Sequence, residues 1–582
     1  MKPKYRKTSD RRIISLVVFF LFLGIMLIAQ LFRIQILRNR VYSKEGEDQY
    51  LVSQKVMPSR GEIFWRDISE GGIAPLVVNE PIYNFSIVPK RVSDVKFFAQ
   101  EVSSALGAPK ENISSKLTDL EDPYELIQSD ISEKEKLKIA EFLSDANISK
   151  DAYSFSESFR RSYIDDELAS HVTGFFGFGE DGVERRGQYG LEEYFDADLT
   201  GISGSTISDT DVLGRFIPVG NRTIVLPVNG KDVVLTLEKN IQYKACALLA
   251  EYVKKYEAAG GAVVIMEPQT GNIYALCGEP RFNPNRYGEY PVSLFVNPVT
   301  SAEYEPGSIF KPITMAAALE DGGITPFTTF IDAGFVIIDR YKIRNAAERV
   351  YGLNSMVQVL DKSINTGAIF AMRSIGPDKF RKYVEAFGFG KLTGIELAGE
   401  VNGDVSPLAG GEEIYAATAS FGQGITVTPI QLVSAYAAIA RGGVLVKPRL
   451  VDRVIDGENE RISPVTEGDR VISKETAESV SLMLVSAVKN GYAKHAGVSG
   501  YAIAGKTGTA QIPKNDGHGY AQETIHSFVG FGPVETGRVP AFAMLVKLDK
   551  PRGLQFADST AAPLFHDIAE FILHYLNIRS VL

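Results

Sequence analysis

The chain has 582 residues, 45% of them hydrophobic and 23% charged, and carries a formal net charge of −9. This is ordinary globular composition with material for two or three domains, and its acidity gives no general reason to expect nucleic-acid binding. Two cysteines exclude a disulfide scaffold, and six scattered histidines show no metal-ligand spacing, so neither a metal site nor a cofactor is expected.

The first segment is the most legible. Lys2, Lys4, Arg6, Lys7, Arg11 and Arg12 precede "IISLVVFFLFLGIMLIAQLF", residues 13–32. That run matches the roughly 20 residues a membrane helix needs. No small-residue cleavage site follows it, which predicts an uncleaved anchor rather than a signal peptide. The basic tail, residues 1–12, is then expected in the cytoplasm and the remaining chain outside.

Residues 33–230 are mixed in character. "LVSQKVMPSRGEIFWRD" predicts a strand entering a turn at Arg60-Gly61, and "ISEKEKLKIAEFLSDA" predicts a charged helix. The glycine-rich, aromatic stretch from Ser170 to Ser205 reads as structural turns. No phosphate-binding loop follows a strand.

A second external domain, 231–582, is expected to begin with the strand "DVVLTLE" and an amphipathic helix, "NIQYKACALLAEYVKKYEA", capped by Asn240. "GAVVIMEPQTGNIYALCG" reads as a hairpin. Cys246 and Cys277 could pair in an oxidising compartment, but their number favours two separate buried thiols. Further along, "YAIAGKTGTAQI", "HSFVGFGP" and "AFAMLVKLD" read as strands, and "APLFHDIAEFILHYL" as a closing helix. Strands at both ends with helices between them predict an α+β fold whose terminal segments share one antiparallel sheet.

Within that domain, "EYEPGSIFKPITMAAALE" places Ser308 and Lys311 one helical turn apart at the start of an apolar helix. Positions i and i+3 share a helix face, so hydroxyl and amine can meet. Taken alone the pattern is weak, because Ser93/Lys96 and Ser486/Lys489 repeat it. Two later clusters change its weight. "DKSINTG" supplies Ser363 and Asn365, and "AGKTGTAQ" supplies Lys506, Thr507, Gly508 and Thr509. In this order they resemble the three-part signature of penicillin-binding proteins and class A β-lactamases.

The resemblance extends beyond the signature. "GAVVIMEPQTGNIYALCGEPRFNPN", "YEPGSIFKPIT", "FGFGKLTGIELAGE" and "SFGQGITVTPIQL" are similar to the transpeptidase domain of class B penicillin-binding proteins. "SRGEIFWRD" and "GQYGLEEYFDADLTGISG" resemble the Arg-Gly and Gly-Leu-Glu elements of that family's pedestal, or dimerisation-type, domain. Trp65 and "WRDISEGG" depart from the usual Asp-Arg-Asn-Gly ending, which leaves the form of that turn open. The resemblance implies a serine D,D-transpeptidase domain at 231–582, behind a pedestal at 33–230 and one anchor.

The residue chemistry fits that implication. A serine hydroxyl is a poor nucleophile until a neighbour takes its proton, and Lys311 is placed to do so. For this Lys311 must be neutral, far from its reference pKa of about 10.4; burial and a second cation, Lys506, both push that way. Ser363 can relay a proton to the leaving amine, and Asn365 can hold Lys311 and the substrate peptide. Lys506, Thr507, Gly508 and Thr509 form an edge-strand platform for an anionic, extended peptide. By resemblance, the backbone amides of Ser308 and Thr509 make the oxyanion hole.

The implied substrates are peptidoglycan stem peptides, with β-lactams as covalent inhibitors. Two alternatives stand beside a transpeptidase. A carboxypeptidase or β-lactamase-like hydrolase on the same fold lacks support, since no Glu-x-x-Leu-Asn element follows Ser363. A catalytically dead sensor is disfavoured by three intact motifs. Length, the "SFGQGITVTPIQL" segment and a short tail favour a division-specific over an elongation-specific enzyme. With no glycosyltransferase segment before Lys231, the expected partner is a membrane glycosyltransferase of the division machinery.

Overall fold

In a computed structural model, residues 8–42, 51–92, 94–107, 109–117, 124–146, 148–150, 152–179, 182, 184–209, 222–514 and 519–580 are described. Lys2, Lys4, Arg6, Lys7 and Ser93 lie outside them. Two compact units result, one drawn from residues 1–59 and 201–230, the other from 60–200 and 231–582.

The first unit contains helix α1 (Thr8–Phe32). Its helical continuation makes Arg11–Leu37 long and apolar enough to cross a membrane, with its apolar side chains exposed. The same unit holds an antiparallel sheet of Leu51–Val56, Gly204–Asp209 and Arg222–Val225.

The second unit opens with β1 (Ile63–Asp67), β2 (Gly72–Ile87) and β3 (Glu125–Ser132). Helix α2 (Glu133–Asp145) follows, then β4 (Tyr153–Tyr163). Helix α2 is the expected charged helix, and it starts where Ser132 and Glu135 cap each other reciprocally. Next come β5 (Asp232–Glu238), α3 (Lys239–Lys255), β6 (Gly260–Met266) and β7 (Ile273–Glu279). The catalytic-signature segments supply α4 (Lys311–Glu320), α5 (Met356–Asp361) and α6 (Asn365–Ile375). The chain ends with β8 (Val451–Asp456), β9 (Asn459–Ile462), α7 (Lys474–Lys489), β10 (Ala504–Pro513), β11 (Tyr520–Gly532), β12 (Phe542–Asp549) and α8 (Ala561–Tyr575).

The expected shared sheet forms in the order β7–β6–β12–β11–β10, antiparallel throughout, so the first hairpin and the last three strands are one layer. Helices α3 and α8 cover one face with Leu249, Phe565, Ile568 and Ile572, all fully buried. Strand β5 does not join this sheet. It enters a second one, β9–β8–β5–β1–β2–β3, running parallel to β1, with β4 also paired to β2. An almost wholly buried strand such as β5 is the type that tolerates a parallel neighbour.

Two local expectations are corrected. The cap of α3 is Glu238, whose carboxylate accepts from Ile241 N at 2.7 Å; Asn240 lies inside the helix and donates to the Tyr575 hydroxyl. Cys246 and Cys277 are disulfide-bonded, not separate thiols. Helix α3 packs on β7 and brings their Cα atoms to 5.4 Å, the separation a disulfide requires.

The two pedestal elements meet. Arg60 lies 2.6 Å from Glu192 and Arg161 lies 2.8 Å from it, all three side chains nearly inaccessible. Burial alone raises the carboxyl's pKa, but the two guanidinium groups outweigh it and hold Glu192 below the usual range. The turn left open by the sequence is the β1–β2 hairpin at residues 68–71, closed by Ser69 Oγ and Glu70 N donating to Asp67. Trp65 is a fully buried core residue of β1.

Candidate active site

Pro306 and Gly307 bring the chain into a single 3-10 turn, Gly307–Phe310, which runs into α4. Pro312 stands at the second position of α4, in the first turn where proline is tolerated. Gly307 has φ +59°, and a Cβ there would stand 3.1 Å from that of Ala510. The Ser308 turn is therefore pressed against β10. The approach is reciprocal: a Cβ at Gly508 would meet Ile309 Cγ2 at 2.9 Å and Ser527 Oγ at 2.6 Å. Glycine at both positions lets the motif strand and the serine turn share one wall.

That wall borders a cavity of about 1400 Å³ lined by Ser308, Ser363, Asn365, Thr507 and Thr509 among others. The three motifs, far apart in sequence, thus converge on one space. Lys311 and Lys506 sit behind it, 0% and 1% exposed. Lys311 Nζ donates to Ser363 O at 2.6 Å and to Ser363 Oγ at 3.1 Å. Burial is the main cause that drives the Lys311 pKa well below the ordinary lysine value, with the charge of Lys506 acting in the same sense. Burial also pushes Lys506 down to about 7, against the pull of the Asp361 carboxylate. Burial therefore favours the neutral amine at Lys311 and brings Lys506 close to neutrality, which an exposed lysine does not reach.

Ser363 owes its position to an unusual helix end. Ile364 N donates to Val359 O and Ser363 N to Leu360 O, the paired bonds that close α5 with a left-handed residue between them. That residue is Ser363, at φ +55°, where glycine is customary. The strained turn presents both its carbonyl and its hydroxyl to Lys311.

Asn365 lines the cavity as expected, but its side-chain amide donates to Arg344 O at 3.0 Å. Lys311 is held by Ser363 rather than by Asn365. Among the described residues Ser308 Oγ has no hydrogen-bond partner, and it is half-buried at the cavity wall. On β10, Lys506 Nζ donates to Thr507 O at 3.1 Å. Thr509 Oγ1 accepts from Ala557 N at 3.1 Å, so the hydroxyl keeps its proton to donate. Strand β10 is the edge of its sheet, as a peptide platform requires.

Several supports were not singled out from sequence. Tyr436 OH donates to Ile309 O at 2.7 Å from a fully buried helix, fixing the serine turn. A tyrosine inside a buried helix must find a partner for its hydroxyl, and that was its only signal. Ser486 Oγ donates to Asp361, so the third Ser-x-x-Lys pair serves the residue that faces Lys506.

A family model, the penicillin-binding protein transpeptidase domain, matches residues 261–570, and a second, the penicillin-binding protein dimerisation domain, matches 55–235. The chain belongs to the class B penicillin-binding proteins. It is 30% identical to "Stage V sporulation protein D" of Bacillus subtilis over 98% of this chain and 87% of that protein. It is 27% identical to "Peptidoglycan D,D-transpeptidase FtsI" of Escherichia coli K12, over 94% and 88%. Among solved structures, penicillin-binding protein 2X of Streptococcus thermophilus superposes with a TM-score of 0.77 at 23% identity, covering 90% of this chain and 80% of that one; it shares the fold.

Proposed function

We propose that this chain is a peptidoglycan D,D-transpeptidase in which Ser308 is acylated by a stem peptide with expulsion of its terminal D-Ala. The single observation that carries the reading is the buried Lys311 amine hydrogen-bonded to Ser363 at the wall that Ser308 lines. A neutral lysine has two N–H groups and one lone pair. With both N–H groups spent on Ser363, the lone pair is left for the Ser308 proton. Ser363 Oγ then returns that proton to the departing amine. Thr507, Thr509 and the Lys506 charge take the substrate carboxylate on the edge strand, with Gly508 keeping that strand close. Asn365, which lines the same cavity, borders the peptide. The second residue of a 3-10 turn has no preceding turn carbonyl for its N–H, so the Ser308 amide is available beside Thr509 for the developing oxyanion.

Penicillin treatment followed by intact mass and peptide mapping tests this. One adduct is expected, on Ser308, and none in Ser308→Ala. Label on Ser486, or label surviving in a folded Ser308→Ala, overturns the assignment.

The chain is read as a single-pass membrane protein with its amino terminus in the cytoplasm and its body outside. Its domains are a tail at 1–12, an anchor at 13–32, a pedestal at 33–230 and the transpeptidase at 231–582. Septal wall synthesis beside a membrane glycosyltransferase is the preferred setting. The name of the Bacillus relative favours a second one, sporulation. A fluorescent fusion found at neither the division septum nor the developing spore would remove both.

A further inference from the structure

The cavity wall beside Asn365 carries a feature that the acylation chemistry does not use. Between Asn345 and Tyr351 the chain places two successive non-glycine residues in the left-handed region, Ala347 at φ +51° and Glu348 at φ +53°. Both conformations are unfavourable for residues with a side chain, and such strain persists only where its surroundings enforce it. Here they do. The buried Asp332 carboxylate accepts from Gly334 N, Asn345 Nδ2, Tyr351 N and Thr366 Oγ1, clamping both ends of the loop. Asn345 Nδ2 also donates to Arg349 O, and Asn345 Oδ1 accepts from Thr366 N, next to Asn365. The strained loop and the Ser363–Asn365 motif are thus one rigid piece.

What the loop holds at the cavity is Arg349. Its Nη1 donates to the Tyr492 hydroxyl at 2.7 Å, and its guanidinium stands 5.8 Å from the centre of that ring. The neighbouring Arg344 pairs with Glu348, but among the described residues no carboxylate lies within ion-pair distance of Arg349. A guanidinium offers five donors in a planar fork suited to carboxylates. The Arg349 guanidinium meets only tyrosine hydroxyls, those of Tyr492 and Tyr351, and no carboxylate among the described residues, in the cavity that also holds Ser308.

We propose that Arg349, braced by Tyr492, is a carboxylate subsite for the acyl acceptor. This rests on the transpeptidase reading. The terminal carboxylate of the donor is assigned to Lys506, Thr507 and Thr509 on β10, so Arg349, on the loop joined to the Ser363–Asn365 motif, serves a second carboxylate. The acceptor enters on the Ser363 side, because its amine must surrender a proton along the path by which the leaving amine gained one. In that step the amine nitrogen bonds to the acyl carbon, the bond from that carbon to Ser308 Oγ breaks, and the amine proton passes through Ser363 and Lys311 to Oγ. An acceptor with a carboxylate several bonds from its amine can reach both groups at once. The substrate class is therefore an amine-bearing peptide with a free side carboxylate.

The test supplies a D-alanyl thioester as donor with Nα-acetyl-lysine or Nα-acetyl-lysinamide as acceptor, and measures transfer against hydrolysis per acyl-enzyme formed. Counting per acyl-enzyme removes unfolded molecules and any change in acylation rate. The wild type is expected to favour the carboxylate acceptor about tenfold, the worth of one charge-assisted pair. Arg349→Gln erases the preference, Arg349→Lys recovers part of it, and Tyr492→Phe weakens it. Equal transfer to both acceptors, none included, overturns the subsite, as does a preference that survives Arg349→Gln. If the thioester leaves Ser308 unacylated in the wild type, the transpeptidase reading falls first and takes the subsite with it.

Discussion

Lys311 and Lys506 are two buried amines to which the proposed mechanism gives opposite tasks. Lys311 must be neutral to take a proton, and Lys506 must be charged to attract a carboxylate. Burial depresses both, Lys506 to about 7. A lysine is cationic below its pKa, so acylation efficiency should rise with pH as the pair releases its first proton and fall above about pH 7 as it releases the second. Arginine keeps its charge throughout this range. In Lys506→Arg the alkaline fall should therefore vanish while acylation persists. In Lys311→Arg acylation should drop by about a thousandfold at every pH, because no base remains. The measurement is kcat/KM for penicillin acylation from pH 5 to 9.5. An alkaline limb unchanged by Lys506→Arg would show that another group titrates there.

At the scale of elements, the closing turn of α5 sets stability against function. A left-handed serine is strained where glycine is not, whereas in ordinary positions glycine is the costlier residue through its unfolded-state freedom. Ser363→Gly should therefore be more stable than Ser363→Ala by about 1 kcal/mol, with both variants losing roughly a hundredfold in acylation. Urea midpoints and acylation rates check this; an alanine variant as stable as the glycine one refutes it. The elements themselves were largely legible. The strands β6, β7 and β10 to β12 and the apolar start of α4 announced themselves. The cap of α3 did not, because Glu238 ends a strand and becomes a cap only when its side chain turns toward Ile241 N. Asn365 was visible as a site residue, but its hydrogen bond to Arg344 depends on a hairpin, Phe335–Arg344, that the sequence did not disclose.

For the whole molecule, the apolar helix Arg11–Leu37 bears on the proposed partnership. An apolar helix with Gln30 near its end can dock on another membrane helix through that polar side chain. The full-length protein should co-purify from membranes with a glycan polymerase, and a form with an unrelated membrane helix should retain less. If neither form retains any, even after crosslinking in cells, the partnership is wrong. The sequence by itself determined the apolar span, the three motifs and the antiparallel sheet, since each is written in local pattern: hydrophobic length, residue identity, short apolar runs between turns. Only the tertiary structure decided which groups meet. The disulfide needed α3 to lie on β7 before its cysteines could approach. Glu192 needed two arginines from distant segments, and Lys311 needed the left-handed turn of Ser363. The Arg349 loop needed Asp332 to clamp it. Burial, depressed lysine pKa values and backbone strain arise when separate segments exclude water from one another, and spacing along the chain does not encode that.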